Sequence, residues 1–164
     1  MEIHPILVVC FIIVVVGLVG YLQVDRVIVQ PTIAEEEQVF RAPPEITITI
    51  NNETYEAIQG TYSWTYKNKD GSITGREADS DVPSRYMVDY EAWNVQADTE
   101  VEVNFDRQPI DYHIKRWDED THTSESHETI DLTEQEGIAI YEIVGRWPEG
   151  TASYAFKLNV EEIE

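Results

Sequence analysis

The chain has a single cysteine, Cys10, and it lies in an apolar run close to the N-terminus. A domain built from the remaining residues has no internal disulfide bond, so we expect a hydrophobic core to stabilise it. Basic residues are scarce too: there are 11 Lys and Arg against 32 Asp and Glu, and the formal net charge is −21. Nucleic-acid phosphates repel such a chain, so we expect no nucleic-acid partner.

Motifs of the common enzyme classes are also missing. The sequence contains no Gly-x-Ser-x-Gly nucleophile elbow and no phosphate-binding loop, and Cys10 lies where it cannot act as an extracellular nucleophile. Pairs of carboxylates, which glycosidases use, carry no information in a chain that has 32 of them. We therefore predict that the protein is not an enzyme.

The segment Ile6–Val24 has no charged residue and is about long enough to cross roughly 30 Å of hydrocarbon as a helix. A cleavable signal peptide would start with positive charge and end at a small-x-small site, and the flanks of this segment offer neither. We predict that residues 1–24 form a membrane anchor, a signal anchor with a single transmembrane helix at residues 6–24.

The orientation of this helix follows from the domain after it, because neither flank carries a cluster of Lys or Arg. The anionic cytoplasmic leaflet of a membrane repels a strongly acidic domain. We therefore expect a single-pass protein of the cell membrane whose C-terminal domain lies outside the cytoplasm. Arg outnumbers Lys seven to four, and Arg stays charged where Lys does not, which suits an alkaline or saline exterior.

Residues 25–44 are predicted to be a stalk, because an acidic run at Glu35–Glu37 is followed by the stiff pair Pro43–Pro44. From residue 45 to residue 164 most apolar clusters alternate with period two, the pattern of strands with one buried face. The alternating sets are Ile46, Ile48 and Ile50; Tyr62, Trp64 and Tyr66; Val101, Val103 and Phe105; Ile110, Tyr112 and Ile114; Tyr141, Ile143, Gly145 and Trp147; and Ala152, Tyr154, Phe156, Leu158 and Val160.

Two shorter strands are predicted, one that includes Tyr55 and Ala57 and runs up to Gly60, and one at Ile130–Leu132. Turns are expected at residues 51–52, 68–71 and 147–150, and a solvent loop over residues 118–128. The polar segment between residues 72 and 100 shows no clear pattern. Seven or more short strands indicate an all-β fold, an antiparallel, immunoglobulin-like β-sandwich over residues 45–164, with a small barrel as the alternative.

The most ligand-like cluster lies in the predicted solvent loop and the strand before it. Its candidate metal ligands are His113, Asp118, Asp120 and His127. Zinc needs ligands that converge on one point, and no helical i, i+4 pair aims these side chains. The calcium-binding EF-hand pattern is missing as well. We expect no cofactor, with a weak divalent cation site as the alternative.

Aromatic residues offer a second kind of candidate site, because flat rings stack on sugars and on protein partners. Trp64 and Trp147 belong to period-two sets and are predicted to be core residues. Trp93 and Trp117 are flanked by charged residues and are the candidates for a binding surface. Separately, Asn52-Glu53-Thr54 matches an N-glycosylation sequon, which means little if the host is bacterial.

Two parts of the chain, Gly60-Thr61-Tyr62-Ser63-Trp64 and the C-terminal hairpin from Ile140 to Phe156, resemble a family of β-sandwich domains in membrane-anchored proteins and lipoproteins of Gram-positive bacteria. Members carry a Gly-x-Tyr-Cys-Trp type motif and a second cysteine that looks like its disulfide partner. Here Ser63 replaces the first cysteine, and the region of Glu77 offers no partner. The resemblance implies a β-sandwich outside a bacterial membrane and no catalytic residues.

These observations together predict a membrane-anchored, extracytoplasmic binding or interaction module. Its partners are expected to be the membrane, through residues 6–24, and a protein or a component of the cell wall. The alternative is a cell-envelope enzyme, or an accessory subunit of one, with a carboxylate and cation site in the region of residues 111–127.

Overall fold

A computed structural model describes residues 38–161 of the chain. The predicted transmembrane helix at residues 6–24, and the stalk up to residue 37, lie outside these residues. Within the part that the structure describes, no helix is long and apolar enough to cross a membrane.

Residues 38–161 form an all-β fold with one short α-helix, α1, at Pro83–Tyr86 and one turn of 3-10 helix at Met87–Asp89. The helix begins with a proline, which suits the first helical position because it has no N–H to leave unpaired. The strands are β1 Ile46–Ile50, β2 Glu53–Glu56, β3 Ile58–Lys67, β4 Ile73–Ala78, β5 Trp93–Gln96, β6 Val101–Phe105, β7 Asp111–Trp117, β8 Ser124–His127, β9 Gly137–Trp147 and β10 Gly150–Glu161.

The strands form two mostly antiparallel sheets, an arrangement consistent with a β-sandwich. The small sheet has the order β2-β1-β6, and the large sheet has the order β4-β3-β10-β9-β7-β8. The remaining strand, β5, pairs in parallel with the C-terminal part of β10, from Leu158 to Glu161. Strand β3 pairs with the N-terminal part of β10, from Gly150 to Ala155, so that both strands share one side of β10.

The β9–β10 hairpin is the centre of the large sheet. Its strands pair without interruption from Trp147 and Gly150 at the turn to Gly137 and Val160 at the far end. Both strands are buried on both faces over much of their length. For this reason most residues from Ala139 to Ile143 and from Ala152 to Leu158 are apolar. The predicted turn at residues 147–150 is confirmed.

The core lies between the two sheets. Strand β1 contributes Ile46, Ile48 and Ile50, which are all buried, as their alternation with threonines predicted. The predicted core residues Trp64 and Trp147 are 0% and 2% exposed, and their ring centroids lie 5.8 Å apart.

Loop carbonyls satisfy the polar groups of these core aromatics, as buried Trp and Tyr side chains require. The indole N–H of Trp64 donates to the carbonyl of Phe40 at 2.9 Å, and that of Trp147 to the carbonyl of Arg107 at 2.9 Å. The Tyr154 hydroxyl donates to the carbonyl of Pro44 at 2.5 Å. Phe40 and Pro44 lie within the predicted stalk, and both contact the folded core.

Two predictions for the region of residues 118–132 are wrong. Residues 118–128 are not all loop, because Ser124–His127 form the edge strand β8. Its side chains are mostly exposed, so backbone pairing with β7 produces no apolar alternation. Residues 130–132 are not a strand, because the Asp131 carboxylate accepts hydrogen bonds from the backbone N–H and hydroxyl of Thr133 and forms a turn, while Leu132 is still buried.

Two further regions differ from the sequence-based expectation. The alternation places Ile110 and Tyr112 with buried Ile114, yet they are 55% and 46% exposed, because β7 reaches the rim of the sandwich there. The polar segment between residues 72 and 100, which shows no clear pattern, contains β4, α1 and β5. Strand β4 is almost wholly exposed, which explains the absence of a pattern.

The close approach of β10 to β3 gives a first prediction. A Cβ atom on Gly150 would lie 1.9 Å from the carbonyl oxygen of Ser63, so Gly150→Ala must push the two strands apart. We expect the free energy of unfolding to fall by about 3 kcal/mol. The matched control is Gly75→Ala, because a Cβ on Gly75 meets nothing within 4 Å. It should be neutral or stabilise by about 0.5 kcal/mol in denaturant unfolding of residues 31–164. Equal stabilities of the two variants would contradict the packing described.

The buried phenol of Tyr154 gives a second prediction. Burial raises the pKa of Tyr154 from 10.0 to about 12, and burial followed by the nearby Glu142 charge raises the pKa of Tyr86 as well. The folded protein keeps these protons at pH values where the unfolded chain loses them. The stability they contribute is therefore complete below pH 10 and is lost as the pH rises through 12.

Denaturant unfolding at a series of pH values tests this. The free energy of unfolding should not change through these phenols up to about pH 10, and it should then decrease. Tyr154→Phe removes one ionising group and one hydrogen bond, so it should lower stability by about 1 kcal/mol at pH 7 and make the alkaline decrease shallower. Parallel pH curves for the two proteins would show that the Tyr154 phenol does not titrate as described.

Candidate functional site

A pocket with a volume of about 560 Å³ lies where β7 ends and β8 and β9 begin. We call it the β7–β8 pocket. Two of the predicted site residues in the 118–128 region, Asp118 and Asp120, line it together with the predicted binding residue Trp117. The other lining residues are Arg116, Glu119, Thr123, Glu125, Gln135, Ile138 and Ala139.

The turn that forms one wall of the pocket is fixed by Asp118. Its Oδ1 atom accepts hydrogen bonds from the backbone N–H of Thr121 at 2.6 Å, from the Thr121 hydroxyl at 2.8 Å and from the backbone N–H of Asp120 at 3.1 Å. These bonds, the Thr121 N–H first, lower the pKa of the Asp118 carboxyl group. Asp118 is therefore ionised at neutral pH, and Oδ1 is engaged within the turn.

Trp117 also lines the pocket, and hydrogen bonding and packing fix its side chain. Its indole N–H donates to Oε2 of Glu142 at 3.0 Å, and the ammonium of Lys115 lies 3.4 Å from the same oxygen. Glu142 is only 7% exposed, so these two donors compensate a carboxylate that has lost most of its water. The Trp117 ring also packs against the small apolar cluster of Met87, Ile140 and Ala155.

The charge of the pocket is negative. Four carboxylates and one guanidinium line it, and that guanidinium, on Arg116, already lies 3.5 Å from the Glu125 carboxylate. Ile138 adds an apolar side chain that is 46% exposed. An aromatic ring, an exposed aliphatic group and an excess of carboxylates together suit a ligand with an apolar part and a positive charge.

The structure does not bring the four predicted metal ligands together. Asp118 and Asp120 share the turn, but His113 and His127 are not in the lining of the pocket. His127 pairs with Ile114 and lies on the same sheet face, whereas His113 is the neighbour of Ile114 in β7 and lies on the other face. Within residues 38–161, no group of three or more His, Cys, Asp or Glu side chains is placed to hold a metal ion.

The second predicted binding residue, Trp93, is half-buried and packs against the core. Its ring stacks on Tyr55, with the centroids 4.6 Å apart, and on Phe156 at 5.8 Å and an interplanar angle of 10°. Phe156 stacks in turn on Tyr141 at 5.5 Å. The four rings form a stacked series, and Trp93 contacts two of them.

Sequence reasoning missed a polar contact next to the pocket. The Ser84 hydroxyl in α1 lies 3.0 Å from Nδ1 of His122, the last residue of the Asp118 turn, whose φ of 57° is in the left-handed region. A serine and a histidine at this distance resemble a catalytic pair, but Ser84 is 0% exposed, so a substrate cannot reach it. The contact fastens the turn to α1. No sequence signal links the two residues, because they are far apart in the chain.

Lys157 makes a second buried attachment under the same segment. Its ammonium donates to the carbonyl of Met87 at 2.8 Å and to that of Val88 at 3.2 Å, at the 3-10 turn that follows α1. The residue is 8% exposed, and a cation near the end of a helical segment is stabilised by the carbonyls there. The α1 segment is thus held to the large sheet through Lys157 and to the pocket turn through Ser84.

No protein-family model matches this chain, and neither a curated protein nor a solved structure matches it.

The contact between Ser84 and His122 gives a third prediction. Ser84→Ala removes the hydroxyl and leaves the imidazole nitrogen without its partner, so we expect a loss of about 1 kcal/mol in stability. Hydrogen exchange should accelerate in both residues 83–89 and residues 118–123. The matched control Ser126→Ala changes an exposed serine on β8, and its stability should stay within about 0.5 kcal/mol of the wild type. Unchanged exchange in the 118–123 turn would contradict the role of the contact.

Proposed function

We propose that the chain is a single-pass membrane protein whose acidic β domain lies outside the cytoplasm and binds a partner there. The observation that carries the proposal is the uncharged segment Ile6–Val24, followed by a chain with a large excess of carboxylates. The core of residues 38–161, which we call the β domain, forms without a cysteine. The domain therefore needs no disulfide bond to fold outside the cytoplasm.

The surface that we propose for binding is the β7–β8 pocket. Its rigid parts support this choice, because Trp117 is fixed by Glu142 and the turn is fixed by Asp118 before any ligand arrives. The partner that suits the lining is a protein or cell-wall component that presents a cationic group beside an apolar one. The predominance of carboxylates in the lining favours such a partner over an anionic one.

An immunoglobulin-like character of the sandwich is part of the proposal. Two mostly antiparallel sheets and the fully buried Trp64 support it. The parallel strand β5 and the division of the strands into a large and a small sheet depart from the usual pattern of four and three strands.

Membrane placement is tested with the full chain in its source cells. The wild-type protein should fractionate with the membrane, and protease added to intact cells or to right-side-out vesicles should digest the β domain. A charged residue at the centre of a span costs about 3 kcal/mol, so the double variant Val14→Asp, Val16→Asp should be released, whereas the control Val14→Leu, Val16→Leu should stay in the membrane. Wild-type protein recovered in the cytosol would contradict the proposal.

Binding is tested by capture of envelope components with residues 31–164. Ile138 and Ile73 are both exposed isoleucines on strands of the large sheet, at 46% and 74%, but only Ile138 lines the pocket. A specific partner should be retained by the wild type and by Ile73→Glu, and at least tenfold less by Ile138→Glu. Equal capture by all three proteins would exclude the pocket as the binding surface.

A further inference from the structure

We propose that Asn52 is an acceptor for N-linked glycosylation. Asn52-Glu53-Thr54 is the only Asn-x-Ser/Thr sequence in the chain. The inference rests on the proposed function in one respect, since it requires the β domain to lie outside the cytoplasm. It also requires a host whose membrane carries a lipid-linked oligosaccharide donor and the transferase, a condition that the resemblance to domains of Gram-positive bacteria does not supply.

The structure places Asn52 at the tip of the β1–β2 hairpin. Ile50 pairs with Glu53, so Asn51 and Asn52 are the whole connection between the two strands. Both have φ in the left-handed region, 51° and 68°, as a tight two-residue turn requires. Asn51, Asn52, Glu53 and Thr54 are all exposed, so a bulky sugar attached here displaces no part of the core.

The register of β1 and β2 places Thr54, which the glycosylation sequon requires, and the intervening Glu53 on opposite faces of the small sheet. Thr54 pairs with Thr49, which alternates with the buried Ile48 and Ile50, so Thr54 lies on the outward face of the small sheet. Glu53 lies on the other face, where the Tyr55 hydroxyl donates to its carboxylate at 2.7 Å. The Thr54 hydroxyl, which the sequon requires, is therefore on the open side of the hairpin, and the Glu53 charge is turned away from it.

The reaction transfers an oligosaccharide from a lipid-linked, diphosphate-activated donor. The side-chain amide nitrogen of Asn52 forms a bond to the anomeric carbon of the first sugar, and the bond between that carbon and the diphosphate oxygen breaks. The amide loses one proton, and the lipid diphosphate leaves with the bonding electron pair. No oxidant or reductant takes part.

The position of the sugar has a structural consequence. Strand β2 is an edge of the small sheet, since the described strands pair with it only through β1. An exposed edge is a template for pairing with another chain. A hydrated oligosaccharide at the first turn of this edge blocks the approach of a second strand, which is the protection that other proteins obtain from charges, prolines or bulges.

The test is mass spectrometry of the full-length protein purified from the membrane of its source cells. We expect intact protein heavier than the sequence by the mass of an oligosaccharide, and a peptide containing Asn52 that carries the whole increment. Thr54→Val keeps the branched shape but removes the hydroxyl, and it should abolish the increment. Thr54→Ser should retain it. The control Thr47→Val changes another threonine on the outward face of the same sheet and should leave occupancy unchanged.

A further variant separates failure of this inference from failure of the proposed function. Glu119→Asn creates a sequon with Thr121 in the exposed turn after β7. If Asn52 is bare and the site created by Glu119→Asn is glycosylated, the inference about Asn52 is wrong and the outward placement stands. If both are bare, the inference is also wrong, and protease digestion of intact cells decides the placement independently. An increment that persists in Thr54→Val would likewise overturn the assignment to Asn52.

Discussion

Continuous pairing between β9 and β10 is the interaction on which the rest of the domain depends. Every other strand of the large sheet attaches to this hairpin or to a strand that does: β7 pairs with β9, and β3 and β5 pair with β10. The hairpin also supplies Trp147, Tyr154 and Phe156, around which the core aromatics are arranged. The small sheet covers this core from the other side. Its apolar residues are therefore buried against side chains of β9 and β10.

The outer face of the hairpin has a different role, which is to hold α1 and the pocket turn in place. It does so with buried polar groups, Glu142 and Lys157, each of which has a partner. Unpaired, such groups would cost several kcal/mol each. With their partners they make the position of α1 specific, and through Ser84 and His122 they connect α1 to the turn that lines the β7–β8 pocket.

Sequence alone was sufficient where one face of a strand is buried. The alternation around Ile48 and around Trp64 predicted β1 and β3, and the double burial of β9 and β10 left long apolar runs. It was insufficient for β4 and β8, whose backbones pair while their side chains stay in water. Of the candidate site residues that composition indicated, Trp117, Asp118 and Asp120 line the β7–β8 pocket. Sequence alone could not show that strand pairing places His113 of β7 and His127 of β8 on opposite faces. Nor could it show that Trp93 stacks on other rings against the core, because both features follow from long-range register.

The order of strands in the large sheet has a consequence for biosynthesis. The central strand β10 follows β3, β5 and β9 in the chain, yet it pairs with all three of them. Until β10 has left the ribosome, β3 and β5 lack the strand that connects them to β9. The emerging chain must therefore keep its apolar strands from associating wrongly until β10 is available, because sheets that depend on non-local pairings of this kind form slowly.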